Sequence, residues 1–231
     1  MAGAGAVSTV EVIIPYAGSD PDRERALDWV TQRCEYPSSI AIGNLPFNKA
    51  RTFMPAVKRA SAEIIVMHDA DVWTPGLEAA VNAVSNGAAW AIPHWFVYRL
   101  SKQGTEKFIE GRSAGSRGGD DLARLPYVGI AGGGIVVARR DDILDIPMDP
   151  RFESWGQEDE SWAMALWCLL GEPWRGEAPL VHLWHPLEAR HGQRMGTQAG
   201  WDLRNRYARV RFDLPGMRDL LAEARDALLH Q

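Results

Sequence analysis

Two groups of carboxylates in this sequence have the types and spacing to do chemistry. Asp69 and Asp71 stand one residue apart at the end of the apolar run Glu63-Ile64-Ile65-Val66-Met67-His68, and Glu158, Asp159 and Glu160 follow Trp155-Gly156-Gln157. Hard divalent cations prefer carboxylate oxygens and are commonly held by one or two carboxylates together with substrate phosphates. Asp69-Ala70-Asp71 therefore fits a site in which one aspartate coordinates Mn²⁺ or Mg²⁺ and the other takes a water or a sugar hydroxyl. It fits equally well a solvated strand end followed by a capping aspartate, so the rest of the chain must choose.

The second group opens a helix, because Trp162, Ala163, Ala165, Leu166, Leu169 and Leu170 recur at helical spacing beyond it. Acidic residues in a first helical turn offset the positive end of the macrodipole, and that alone would explain them. The chemical alternative turns on Asp159. The helix terminus favours its ionised form while flanking Glu158 and Glu160 disfavour it, a balance suited to a general base at a pocket mouth. Trp155 and Gly156 would add a flat wall for a sugar ring and room for it. His182 and His185 lie in the late run Pro179-Leu180-Val181-His182-Leu183-Trp184-His185-Pro186. Alternation along a strand predicts opposite faces for the two rings, with one towards a metal.

The elements that must position these groups alternate between strand and helix. Val10–Pro15 reads as a strand stopped by proline, followed by turn residues and a helix from about Asp22 to Arg33. Ser39–Gly43 is a second strand, and Phe47–Arg51 opens a helix that Pro55 is expected to delay or kink. Strand, helix and strand up to Asp71 predict a parallel sheet, whose carboxyl ends face the ligand crevice. Leu77–Val84 follows as a helix, then Ala88–Pro93 and Trp95–Tyr98 as two strands. Residues 101–126, rich in glycine and charge, read as one long loop. Gly132-Gly133-Gly134 precedes a strand and brings backbone close to a ligand or a tight bend. Residues 187–200 read as a polar lid, Trp201–Arg211 as a helix, and Pro215 as the start of a last amphipathic helix.

The 231 residues, 46% of them hydrophobic, suffice for one sizeable α/β domain. A net charge of −5 argues against a nucleic-acid partner, and two cysteines far apart argue against a disulfide framework. The small-residue start lacks the pattern of a signal peptide, and no apolar run spans a membrane, so a cytoplasmic location is expected. Ten tryptophans are many for this length and serve either the core or sugar stacking.

Taken in order, Val12-Ile13-Ile14-Pro15-Tyr16, Phe47-Asn48-Lys49-Ala50-Arg51, Asp69-Ala70-Asp71 and Trp155-Gly156-Gln157-Glu158-Asp159 resemble the motifs of the β-1,4-galactosyltransferase superfamily and related bacterial and phage glycosyltransferases. The resemblance covers about residues 10–190 and implies a GT-A fold with a mixed, mostly parallel central sheet. Residues 8–100 would form the nucleotide-sugar half, 127–190 the acceptor half and 199–231 the terminal helices. Pro15, Tyr16, Asn48 and Lys49 would lie near a uridine diphosphate. Asp71 would ligate Mn²⁺ or Mg²⁺, Asp69 would approach the metal and the ribose or donor sugar, and His182 in preference to His185 would complete the metal site. Trp155 and Glu158 would contact sugar, with Asp159 as base in an inverting transfer from a UDP-sugar to a glycan, protein or small-molecule acceptor; Gly133, in the glycine run, is expected to bring its backbone close to the donor.

Departures from the family pattern concern specificity. Ala17-Gly18 stands where an arginine is common, so Arg23 or Arg25 must reach back. Ser154, Gln157 and Glu160 replace a tryptophan, a glycine and an aspartate. A retaining transferase of the same fold, a metal-dependent hydrolase and a non-catalytic nucleotide-sugar or glycan-binding module are the rival readings.

Overall fold

The computed structural model describes residues 8–112, 119–153, 156–186 and 196–230. Strand β1 (Val10–Tyr16) leads to α1 (Pro21–Thr31), β2 (Ser38–Ile42), α2 (Lys49–Arg59), β3 (Ile64–His68) and the two-residue β4 (Val72–Trp73). Then come α3 (Leu77–Ser85), β5 (Trp90–Arg99), α4 (Lys102–Ile109), a 3₁₀ turn (Gly119–Asp121), β6 (Tyr127–Val128), β7 (Ile135–Arg139) and α5 (Arg140–Asp145). Helix α6 (Glu158–Leu170), β8 (Trp174–His182), α7 (Gln198–Val210) and α8 (Leu214–Leu229) complete the chain.

The strands form one eight-stranded sheet in the order β2-β1-β3-β7-β5-β8-β4, with β6 beside β5. β1, β2, β3, β5 and β8 run in one direction; β7, β4 and β6 oppose them. The sheet is thus mixed, as expected, with β7 inserted antiparallel between β3 and β5. Side chains alternate between two cores because strand residues alternate faces. Ile13, Ile65, Met67 and Val136 meet Phe53, Met54 and Val57 of α2, Trp162 and Leu166 of α6 and Met217 and Leu220 of α8. Val12, Ile14, Ile64, Val66 and Val137 meet Leu27 and Val30 of α1 and Val81 and Val84 of α3. Burial on both faces explains why β3 reads as an uninterrupted apolar run.

Several sequence expectations are corrected. Pro55 does not delay α2, which begins at Lys49 behind the side-chain cap of Asn48 and runs through the proline. Trp95–Tyr98 is not a separate strand: β5 is continuous across Pro93, and its pairing with β8 absorbs the irregularity in register shifts between Ile92 and His94 and between His94 and Val97. The region 101–126 is not one loop, since Ser101 caps α4 and the 3₁₀ turn packs against that helix. A Cβ on Gly104 would stand 2.0 Å from the Asp121 carbonyl oxygen, so glycine there allows the approach. Residues 113–118 and 187–195, including most of the expected lid, lie outside the described residues.

Candidate active site

The metal-type residues meet because β4 and β8 pair. Val72 lies opposite His182, and Leu183 N donates to the Asp71 carbonyl at 2.8 Å. Strand β8 ends at His182, so the alternation expected to separate the two histidines stops there, and both rings turn towards Asp71. His185 Nε2 is 3.0 Å from Asp71 Oδ2 and His182 Nε2 is 3.9 Å from Oδ1. One donor atom from each of the three lies within 4.8 Å of the others. Each histidine approaches a carbonyl through Nδ1, Leu183 O and Pro186 O respectively, both at 2.8 Å. A carbonyl only accepts, so Nδ1 carries a proton in each ring, which is the backing that metal-binding histidines usually have, and Nε2 is the atom that faces Asp71 and would give its lone pair to a cation once it holds no proton. Two imidazoles and a carboxylate suit Mn²⁺ better than the oxygen-seeking Mg²⁺.

Burial raises the Asp71 carboxyl, but His182 and His185 outweigh it and hold it far below the usual carboxylate range. At His182 burial prevails and the ring lies below its ordinary value; at His185 the hydrogen bond and charge of Asp71 overcome burial and raise it.

Asp69 faces the other motif. Its backbone N donates to Gly134 O at 2.8 Å, and its Oδ2 accepts from Gly134 N at 3.2 Å, fixing the carboxylate to the glycine run before β7. Its Oδ1 is 2.7 Å from Lys49 Nζ, which also donates to Asp159 Oδ1 at 2.8 Å. Lys49, almost fully buried at the start of α2, therefore links the end of β3 to the start of α6. Asp159, Asp69 and Glu158 raise its pKa against the effect of burial. Burial, opposed by Lys49 and reinforced by Glu158 and Asp69, brings Asp159 up to about 7. Glu160 is not among its close influences: Arg204 on α7 takes that carboxylate, with Nε donating to Oε2 at 3.0 Å. Glu158 is raised chiefly by burial and accepts from Gly156 N at 2.8 Å.

Gly156 (φ +121°) and Gln157 (φ +70°) enter α6 through left-handed conformations, uncommon for a glutamine and characteristic of functional turns. Gly132 (φ +89°) admits no side chain, because a Cβ would stand 2.1 Å from the Asp159 carbonyl oxygen. Gly132→Ala is expected to cost about 1–3 kcal/mol, lowering Tm by roughly 2–12 °C in a thermal melt. An unchanged melt would contradict this packing.

A cavity of about 470 Å³, within the usual range for ligand sites, takes in Pro15, Tyr16, Arg23, Lys49, Asp69, Asp71, Gly133, Glu158, Asp159, His182 and His185. Arg23 is brought there by the Asp20 cap of α1, which accepts from Arg23 N at 3.0 Å, whereas Arg25 is exposed. Asn48 is not in the lining. Its side chain caps α2 and donates to Pro150 O and Phe152 O, a structural use. Trp155 lies outside the described residues. Sequence reasoning missed His94, Arg99, Arg124, Tyr127 and Trp201, which also line the cavity. Arg99 Nε donates to the Tyr127 hydroxyl at 3.0 Å, and the Arg124 guanidinium stacks 3.8 Å from the same ring. No local pattern marks these residues; β5, the segment leading into β6 and, for Trp201, the start of α7 bring them together.

No protein-family model matches this chain, and no curated protein matches it. Among solved structures, glucosyl-3-phosphoglycerate synthase from M. tuberculosis superposes with a TM-score of 0.51 at 13% identity, covering 90% of this chain and 82% of that one. The same enzyme with Mn²⁺, UDP and glucosyl-3-phosphoglycerate gives 0.46 at 13% identity over 78% and 74% of the two chains. A mannosyltransferase from Pyrobaculum calidifontis, with GDP-Man and Mn²⁺, gives 0.47 at 15% identity over 97% and 70%. The first of these establishes the GT-A fold for the chain.

Proposed function

We propose that this protein is a metal-dependent glycosyltransferase that moves a sugar from a nucleotide diphosphate donor, UDP-linked by the motif resemblance to the β-1,4-galactosyltransferases, to an acceptor hydroxyl with inversion. The observation that carries this is one cavity holding a cation-type triad and, across the Lys49 bridge, a carboxylate tuned to about 7. Glucosyl-3-phosphoglycerate synthase, which shares the fold, is an enzyme solved with Mn²⁺ and UDP, and that supports proposing the same kinds of ligand here.

Asp71, His182 and His185 would hold the cation. When bound, it supplies Lewis-acid neutralisation of charge on the departing diphosphate. Arg23, Arg99 and Arg124 add positive charge to the same cavity, as a phosphate-bearing ligand requires. Asp69 is fixed beside the glycine run, where a ribose or sugar hydroxyl could donate to it. Asp159, with Oδ1 on Lys49, accepts the proton of the acceptor hydroxyl as that oxygen attacks the anomeric carbon. Lys49 keeps the base ionised near neutral pH; burial keeps it basic enough to act.

Because Asp159 works only when ionised, and burial brings it up to about 7 in the free protein, kcat/KM is expected to rise with pH through neutrality. It should fall about tenfold per pH unit below the limb. Lys49, Glu158 and Asp69 are the charged groups facing it, so Lys49→Met should move the limb to higher pH. A kcat/KM profile flat from acid to alkaline pH would contradict this assignment.

A metal hydrolase could use the same triad, and the two readings separate on acceptor dependence. The test is nucleoside diphosphate release from UDP-glucose, UDP-galactose and GDP-mannose, with Mn²⁺ or chelator, with and without glycan, peptide and small-molecule acceptors. A transferase gives metal-dependent release that one acceptor class accelerates, with the sugar found on that acceptor. Release at the same rate without acceptor would make it a hydrolase.

A further inference from the structure

His94 lies in β5 just after Pro93, is completely buried, and lines the cavity. Among the described residues, neither Nδ1 nor Nε2 has a hydrogen-bond partner. Buried polar atoms are nearly always satisfied, so a ring with both nitrogens idle beside a ligand cavity calls for a partner from outside the chain. Both ring nitrogens are enclosed, and the described surroundings give them nothing to bond. A Cβ on Gly129 would stand 2.9 Å from Nε2, so glycine there makes room for the ring, while one on Gly134 would reach Cε1 at 3.5 Å, ordinary contact.

We infer that His94 reads a hydroxyl of the sugar carried by the donor and so helps decide which sugar the protein accepts. This rests on the transferase reading above. Arg175 on β8 donates through Nε to the His94 carbonyl at 3.2 Å and through its terminal nitrogen to Gly129 O, which keeps a fixed positive charge beside the ring. Burial and then that charge push the imidazole down to about 4, so it is neutral at physiological pH. A neutral imidazole offers one N–H and one lone pair. The matching partner must both accept and donate, as a hydroxyl does; a phosphate only accepts, and an ammonium only donates.

Position favours the donor sugar. Gly134, against which the ring packs, exchanges two hydrogen bonds with Asp69, two residues before the metal-type Asp71. On the neighbouring residue, a Cβ at Gly133 would be 3.8 Å from Asp159 Oδ2. The imidazole thus lies beside the stretch between the donor-side carboxylate and the base, where the transferred ring belongs.

The test uses the full chain with Mn²⁺ and whichever of UDP-glucose, UDP-galactose or GDP-mannose it turns over, alongside that donor's single-deoxy analogues. In the wild type, one analogue should lose roughly 10²-fold or more in kcat/KM. His94→Phe should lower the parent donor to the level of that analogue and show no further loss with the analogue itself; His94→Gln should recover part. Binding of the sugar-free nucleoside diphosphate with Mn²⁺ should stay within about twofold in both variants. Should His94→Phe fail to fold, nitrogen NMR of the wild type decides, since the His94 resonances should shift with the nucleotide sugar and not with the diphosphate alone.

If the deoxy penalty is the same in wild type and variant, or the resonances ignore the sugar, the ring holds a trapped water or only packs, and the inference fails while the transferase reading stands. If wild type binds no nucleoside diphosphate with Mn²⁺, that reading fails and takes the inference with it.

Discussion

Asp159→Asn is expected to lower kcat by roughly 10²–10⁴-fold, the usual contribution of a positioned general base, while donor binding should change by less than about twofold. The amide keeps the shape of the carboxylate but cannot take a proton. Lys49 loses one anionic partner and retains Asp69 at 2.7 Å, so the link between β3 and α2 survives. The variant separates catalysis from assembly: a nucleotide-sugar-binding module would bind before and after and never transfer. Full transfer by Asp159→Asn, measured in single-turnover experiments, would remove Asp159 from the mechanism. Product configuration belongs to the same experiment, because a base opposite the leaving group requires inversion at the anomeric carbon.

Asp71→Ala is the second large effect. Asp71 is the only carboxylate of the triad, and both imidazoles turn their Nε2 towards it. Removing a group that merely supports a ligand costs about 10–100-fold in metal affinity, so removing the carboxylate itself should cost more than about 100-fold and abolish turnover at micromolar Mn²⁺. His185, raised by Asp71, should then titrate lower, because burial remains and its anionic partner is gone. The control is a thermal melt without metal, which distinguishes lost binding from lost folding. Retained metal-dependent turnover in a folded Asp71→Ala protein would place the cation elsewhere.

How far the sequence discloses this site depends on whether each feature is local. The run Ile64–His68 ends in its aspartates as read, because a strand buried on both faces leaves an unbroken apolar signal. The first turn of α6 is equally visible from the apolar spacing behind it. What is not local is not legible. Lys49 and Asp159 are 110 positions apart, and nothing near either announces the bridge. The two histidines converge because a two-residue strand, β4, captures the end of β8, and alternation stops where the strand does. Helix α4 hides in a glycine- and charge-rich stretch because Gly104, Thr105 and Phe108 are its buried residues, too few large ones to give a periodic signal. His94 was unreadable for a different reason: its meaning lies in the partners it lacks.

The most direct test is calorimetric titration of wild-type protein and Asp71→Ala with UDP-glucose, UDP-galactose and GDP-mannose, each in Mn²⁺ and again in chelator. The account predicts that at least one nucleotide sugar binds the wild type in Mn²⁺, and that its binding is lost in chelator and in folded Asp71→Ala. Binding of equal strength with and without metal, or to neither condition in a folded wild type, would contradict a cation-held donor in this cavity.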